Sequence, residues 1–271
     1  MKDKTVLITG ATDGIGRQTA LELAKSGARI FIHGRNEKKC QHTISFIENQ
    51  GGRSHIEYFC ADLSDFKQIR RMADNILGRT DRLDVLINNA GIFEKERKLT
   101  SDGLEMTFAV NHLAYFLLTG LLLDLLKGSA PARIVNVSSM AHSSDIDFNN
   151  LRGEKHYSGL EAYSLSKLAN ILFTFSLAEK LKDSGITVNC LHPGVISTKL
   201  LHAGFGFGGD SLEEGAKTSV FLASSNEIAD VSGEYFNNSR IASPASIAYD
   251  KDVQKRLWYI SEELCGFVYL I

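Results

Sequence analysis

With 271 residues, 44% of them hydrophobic and 23% charged, the chain has enough apolar material for a sizeable core and the make-up of an ordinary soluble globular protein. A net charge of −2 and the lack of a long basic run argue against nucleic acid or an anionic membrane as a partner. The four cysteines (Cys40, Cys60, Cys190 and Cys265) are scattered, with no C-x-x-C and no clustering with histidine, so they are expected to be reduced thiols of a reducing compartment.

The opening MKDKTVLITG has neither the apolar core nor the small-residue cleavage site of a secretory signal. The most lipid-like run, LAYFLLTGLLLDLLKG at 113–128, is interrupted by Asp124 and is shorter than the roughly 20 residues a spanning helix needs. It is expected to be a buried core helix, and the protein to be cytoplasmic with no membrane span.

In chain order, short β-branched runs alternate with longer helical stretches. The runs are KTVLITG, ARIFIHG, HIEYFCAD, LDVLINNAG, ARIVNVSS and ITVNCLHPG. Several are apolar without polar alternation, the pattern of parallel strands covered on both faces. Helices are predicted near 15–26, 36–50, 65–78, 102–127 and 160–184. This alternation predicts an α/β fold with right-handed crossovers. No linker or repeat divides the chain, so one domain over 1–271 is expected. Its tail, 198–271, adds a loop, two helices and a last short strand near GEYF, with a C-terminal extension from about 240.

After the first strand, Gly10, Gly14 and Gly16 are spaced G-x-x-x-G-x-G. Glycines there permit a tight turn and let the backbone approach a diphosphate, while the helix N-terminus offers N–H groups and a positive dipole. The spacing departs from G-x-G-x-x-G, but its place between the first strand and first helix is the right one for a dinucleotide. The second strand ends FIHGRN, with no acid to bond adenosine ribose hydroxyls and with Arg35 in position for a 2′-phosphate, which points to NADP(H).

Further along, AYSLSKLANILF carries Tyr163 and Lys167 one turn apart within an otherwise apolar helix. Taken alone, such a pair is ordinarily packing with a snorkelling lysine. The stretches TGATDGIG, CADL, NNAG, Asn111, VNVSS, YSLSK and HPGVIST, in that order, change this. Together they resemble the short-chain dehydrogenase/reductase family from residue 4 to about 240. The retinol-dehydrogenase-like and WW-domain-oxidoreductase-like branch is the most similar.

That resemblance implies a doubly wound, mostly parallel, seven-stranded Rossmann fold. It also implies Gly10, Thr12, Asp13, Ile15 and Gly16 at the pyrophosphate, Asp62 and Leu63 at the adenine, and Asn89, Ala90 and Gly91 beside its ribose. Pro193, Gly194, Ile196 and Thr198 would meet the nicotinamide end, and Lys167 its ribose. Ser139, Tyr163, Lys167 and Asn111 would form the catalytic tetrad, with the second serine of VNVSS, Ser139, as the functional one.

The chemistry is coherent. Hydride transfer to a carbonyl leaves an alkoxide-like oxygen in need of a proton. Tyrosine can supply it if a nearby cation lowers its ordinary pKa of about 10, the role expected of Lys167. Asn111, if not simply a polar core residue, could hold a water that relays protons from Lys167. His142 and His192 are expected to be structural or wall residues, and no metal-ligand spacing occurs. The segment 198–211 could be a lid in which Phe205 and Phe207 close on a lipophilic or aromatic substrate, or an ordinary glycine-rich loop. The helices near 113–126 and 160–181 are apolar nearly all round, so a homodimer or homotetramer is expected unless the C-terminal segment covers them. A non-catalytic dinucleotide sensor, or a nucleotide-sugar epimerase or dehydratase, are the competing functions.

Overall fold

A computed structural model describes residues 1–52, 55–206 and 208–271. The β-branched runs become β1 (Thr5–Ile8), β2 (Arg29–Gly34), β3 (Ile56–Cys60), β4 (Val85–Asn88), β5 (Ala132–Val137), β6 (Ile186–His192), β7 (Tyr235–Asn237) and β8 (Arg240–Ala242). They form one sheet in the order β3-β2-β1-β4-β5-β6-β7-β8, parallel except for the antiparallel β7–β8 edge pair. The predicted seven strands are all present, and β8 is an eighth. It follows β7 through a turn in which Asn238 and Ser239 both take positive φ, 49° and 59°. That is a tight hairpin geometry written without its usual glycine, on a three-residue strand too short to show a pattern.

The connections are helices: α1 (Gly14–Lys25), α2 (Glu37–Asn49), α3 (Phe66–Leu77), α4 (Met106–Phe108), α5 (Ala114–Leu121), α6 (Leu123–Gly128), α7 (Gly159–Lys180), α8 (Lys199–Phe205), α9 (Leu212–Ser224) and α10 (Lys251–Cys265). Helices α1, α2 and α9 pack on one face of the sheet through Leu21, Leu23, Ile47 and Leu222. Helices α3, α5, α7 and α10 pack on the other through Ile69, Phe116, Leu172 and Trp258.

The predicted helix at 102–127 is not continuous. Between α4 and α5 the chain makes a π-helical turn, Ala109–Leu113, with Asn111 at its centre. Such turns insert an extra residue per turn and are common at functional sites. The path breaks again at Leu122 before α6.

The apolar faces of α5 and α7, on which the expectation of a dimer rests, are covered by this chain itself. Trp258 and Tyr269 pack against Phe116 and Phe173, with ring centroids 4.8–6.5 Å apart. The Tyr269 hydroxyl donates to the Phe116 carbonyl at 2.6 Å. Gly120 makes room for the tail, since a Cβ there would lie 2.2 Å from the Phe267 ring. Arg70 of α3 closes the end of α10 by donating to the Cys265 and Gly266 carbonyls. Among the described residues no helix is long and apolar enough to cross a membrane.

Two of the buried histidines, His112 within this packing and His33 beside the glycine turn, bear on stability. His112, in the π turn, sits between Asn170 of α7 at 3.3 Å and Ser261 of α10 at 3.0 Å. His33, on β2, is likewise enclosed. Burial holds both down to about 4, so both are neutral in the fold. In the unfolded chain they titrate near 6.5, so unfolding takes up protons between pH 6.5 and 4. Their contribution is complete above pH 6.5 and is lost as pH falls through that window, by about 2 kcal/mol each at pH 5. Guanidinium unfolding at pH 7.5 and pH 5 should therefore show a marked loss of stability in acid, and His112→Gln should shrink that difference. Equal differences in wild type and variant would contradict a neutral, buried His112.

Candidate active site

The strand order reverses between β1 and β4, which opens a crevice at the carboxyl ends of the strands. Thr9, just past β1, holds the two sides together. Its Oγ1 accepts from the Asn89 and Ala90 N–H groups at 2.9 and 3.1 Å, and Asn89 Nδ2 donates back to the Thr9 carbonyl at 2.8 Å. The glycine turn is shaped around this clamp. Gly10 takes φ +65°, and a Cβ on it would lie 2.7 Å from Ala90 Cα. A Cβ on Gly16 would lie 2.4 Å from Asn89 Nδ2 and 2.5 Å from the Gly10 carbonyl oxygen.

His33 fixes the same turn from the other side. Its Nδ1 accepts from the Gly10 N–H at 3.1 Å, so the neutral ring carries its proton on Nε2, which donates to the Ala61 carbonyl at 3.0 Å. Asp13 caps α1 by accepting from the Gly14 N–H and pairs with Lys199 at the start of α8. Partial burial pulls its carboxyl upward, but Lys199 and the Gly14 N–H together hold it below the usual range.

From this turn a cleft of about 1100 Å³ runs across the strand ends, at or above the roughly 300–1,000 Å³ of a drug-sized ligand site. At one end are Arg35, Lys39, Asp62 and Leu63. Asp62 Oδ1 is taken by the backbone and hydroxyl of Ser64, which pins the carboxylate to its own loop. At the other end are Pro193, Gly194, Ile196 and Thr198, and Thr198 caps α8 by accepting from the Leu201 N–H at 3.1 Å.

Tyr163 and Lys167 project from α7 into the middle of this cleft, 6% and 3% exposed. Strand alternation separates the two serines after β5. Ser138 turns to α7 and donates to the Lys167 carbonyl at 2.7 Å. Ser139 lies within hydrogen-bond reach of the Tyr163 hydroxyl, and its Oγ also accepts from the Ala141 N–H at 3.1 Å.

The electrostatics differ from the sequence expectation in one respect. Burial pushes the Tyr163 phenol up to about 12, while its hydrogen bond with Ser139 pulls the other way. Lys167 does not offset this. Its Nζ is 5.5 Å from the Tyr163 ring centroid, donates to the Val137 carbonyl at 3.0 Å, and is itself brought down to about 7 by burial. In the protein alone the pair is therefore poised as a neutral phenol beside a lysine that readily gives up its charge.

Asn111 stands apart from the other predicted site residues, all of which line the cleft. It is fully buried behind Gly91. Its Oδ1 accepts from the Ile92 N–H, and its Nδ2 donates to the Ile92 carbonyl and to Ser166. Even its backbone carbonyl accepts, from Asn170 Nδ2 at 2.9 Å. The side chain braces the loop that carries Asn89–Gly91.

A family description, short chain dehydrogenase, matches residues 4–205, across this whole arrangement. The chain belongs to the short-chain dehydrogenase family. It is 44% identical over 280 residues to human retinol dehydrogenase 13, covering 97% of this chain and 85% of the relative. It is 42% identical to human retinol dehydrogenase 11, covering 97% and 86%. Among solved structures, a Mycobacterium paratuberculosis protein is 32% identical with a TM-score of 0.83, covering 100% of this chain and 96% of the other. A short chain dehydrogenase from Escherichia coli complexed with NADPH is 26% identical with a TM-score of 0.74, covering 89% and 98%.

The residues of this dehydrogenase fit a nicotinamide dinucleotide: the cleft is large enough, and Gly10 and Gly16 pack so closely on Ala90 and Asn89 that the turn at its edge carries no side chain. Sequence reasoning missed Lys39 and His33. Lys39 follows Arg35 by four residues, in the first turn of α2, and a second cation so soon after β2 was legible. His33 was not, since its value lies in contacts 23 and 28 residues away. His142 has the expected structural role: Nδ1–H donates to the Ser139 carbonyl at 2.7 Å, and Nε2 accepts from the Ala245 N–H at 3.0 Å. His192 lines the cleft, and its Nδ1 has no partner among the described residues. The proposed lid falls partly outside what is described, because Phe207 and the Phe205 side chain are not among the described groups.

Gly16→Ala tests the cradle. The added methyl must displace Asn89 or the Gly10 carbonyl, so nicotinamide dinucleotide binding measured by calorimetry should fall by about tenfold or more. Unaltered affinity in a folded variant would show that the dinucleotide does not use this turn.

Proposed function

We propose that this dehydrogenase uses NADP(H) to interconvert a lipophilic or aromatic carbonyl compound and its alcohol, with Tyr163 as the general acid/base. The observation that carries the reading is the buried Tyr163 hydroxyl, bonded to Ser139 and facing the middle of a dinucleotide-sized cleft. The bound cofactor supplies or accepts the hydride.

The chain's own groups do the rest. Ser139 offers a hydroxyl proton to the substrate oxygen and orients the carbonyl. Tyr163, kept protonated by burial at neutral pH, donates to that oxygen as negative charge builds on it. When the phenol gives up its proton, the new phenolate favours the charged form of Lys167 nearby, so the lysine stabilises the state that follows transfer. Asn111 keeps the Asn89–Gly91 loop in place behind the reacting centre.

NADP(H) is supported by Arg35 just after β2 and Lys39 in the first turn of α2, both lining the cleft, with no acid at the end of β2 itself. The phosphorylated cofactor in the Escherichia coli neighbour agrees with this. A lipophilic substrate is supported by Met106, Val110, Met140, Leu200 and Leu201 along the cleft wall. Retinol, the alcohol in the names of the similar human proteins, is such a molecule.

The test is NADPH and NADH oxidation over a panel of apolar aldehydes and ketones. NADPH should be preferred, and Arg35→Ala should raise its KM by about tenfold. Tyr163→Phe should lower kcat by about 10²–10⁴-fold while NADPH still binds. Preference for NADH would overturn the cofactor assignment, and equal rates for wild type and Tyr163→Phe would overturn the mechanism.

A further inference from the structure

Cys40 and Cys60, twenty residues apart in sequence, meet in the fold with their sulfurs 3.9 Å apart. Cys40 lies in the first turn of α2 and is fully buried, whereas Cys60 ends β3 and is exposed. Both sit beneath the turn that follows β2. Cys60 is the register partner of Gly34, and a Cβ on Gly34 would come within 2.9 Å of the Cys40 sulfur. The residues on either side of that thiol pair, Arg35 and Lys39, line the cleft.

We propose that Cys40 and Cys60 are a reversible redox site: a small disulfide such as oxidised glutathione converts them to an intramolecular disulfide that weakens NADPH binding. The proximity of the sulfurs does not depend on the function proposed above, but the effect on NADPH rests on it.

The exchange balances. The exposed Cys60, as thiolate, attacks one sulfur of oxidised glutathione and breaks its S–S bond, releasing one glutathione. Cys40 then loses its proton to solvent and attacks the Cys60 sulfur, and the second glutathione leaves. Two protein thiols are oxidised and one glutathione disulfide is reduced to two thiols. A sulfur–sulfur bond is about 2 Å long, so closure needs roughly 2 Å of combined movement by the two side chains and their backbones. The buried Cys40 thiol, which burial holds well above the ordinary cysteine range, makes the second step the slow one. Closing the bond draws the first turn of α2 toward β3. Lys39 and Arg35, which line that end of the cleft, are displaced with it, and loss of one hydrogen bond to a charged group costs about tenfold in affinity.

The full chain is incubated under native conditions with oxidised glutathione and followed by intact mass, thiol titration and NADPH calorimetry. Expected is the loss of two hydrogens and of two of the four thiols, reversed by dithiothreitol, with NADPH affinity reduced about tenfold in the oxidised form. Cys60→Ser should abolish both changes, and Cys190→Ser should leave both in place. A persistent gain of one glutathione, or four thiols that stay free, overturns the disulfide. A disulfide that forms with NADPH affinity unchanged overturns its control of the cofactor. Reduced protein that fails to bind NADPH at all counts against the proposed function and its dependent affinity effect, while mass and thiol count still decide whether the bond forms.

Discussion

The clamp between Thr9 and Asn89–Ala90 is the interaction on which the site depends. A parallel sheet leaves the ends of β1 and β4 as unpaired backbone at the point where strand order reverses, and buried backbone groups must find partners. The hydroxyl of Thr9 and the amide of Asn89 provide them within the protein. The turn at Gly10 can then lie against Ala90 without a side chain between them, and α1 starts where its free N–H groups face the crevice. Asn111 extends the bracing one layer deeper, through both polar groups of Ile92.

The central pair of residues illustrates how burial and charge compete. Opposite charges stabilise a phenolate only when the cation remains charged, and desolvation penalises both partners. Tyr163 and Lys167 are both nearly inaccessible, and their preferences move toward neutrality from opposite directions. The phenol is thus neutral at rest, and the lysine beside it is held near the point at which it gives up its charge.

Much of this was legible in the sequence because it rests on local rules. The apolar runs marked the parallel strands and the glycine spacing marked the turn, while both serines after β5 border the cleft, Ser138 bonded to the α7 backbone and Ser139 to Tyr163. What was not legible depends on distant partners. The π-helical turn at Asn111 has no composition signal and is surrounded by contacts from Ile92, Ser166 and Asn170. The meeting of Cys40 with Cys60 follows from the pairing of β2 with β3. The apolar faces of α5 and α7 left two covers open, a second molecule or the chain's own C-terminal segment, because periodicity shows that a face needs cover without showing what covers it.

That cover has a consequence for how the protein is made. Trp258 and Tyr269, which seal Phe116 and Phe173, come after every strand and every other helix in the order of synthesis. While the chain is still emerging from the ribosome, the sheet and α7 can assemble, but their most aromatic surface stays open to water and to neighbouring chains. Docking of α10 and Tyr269 covers that surface and, through Ser261 and His112, buttresses the π turn that bears Asn111, so strands made early stay incompletely covered until residues far along the chain arrive.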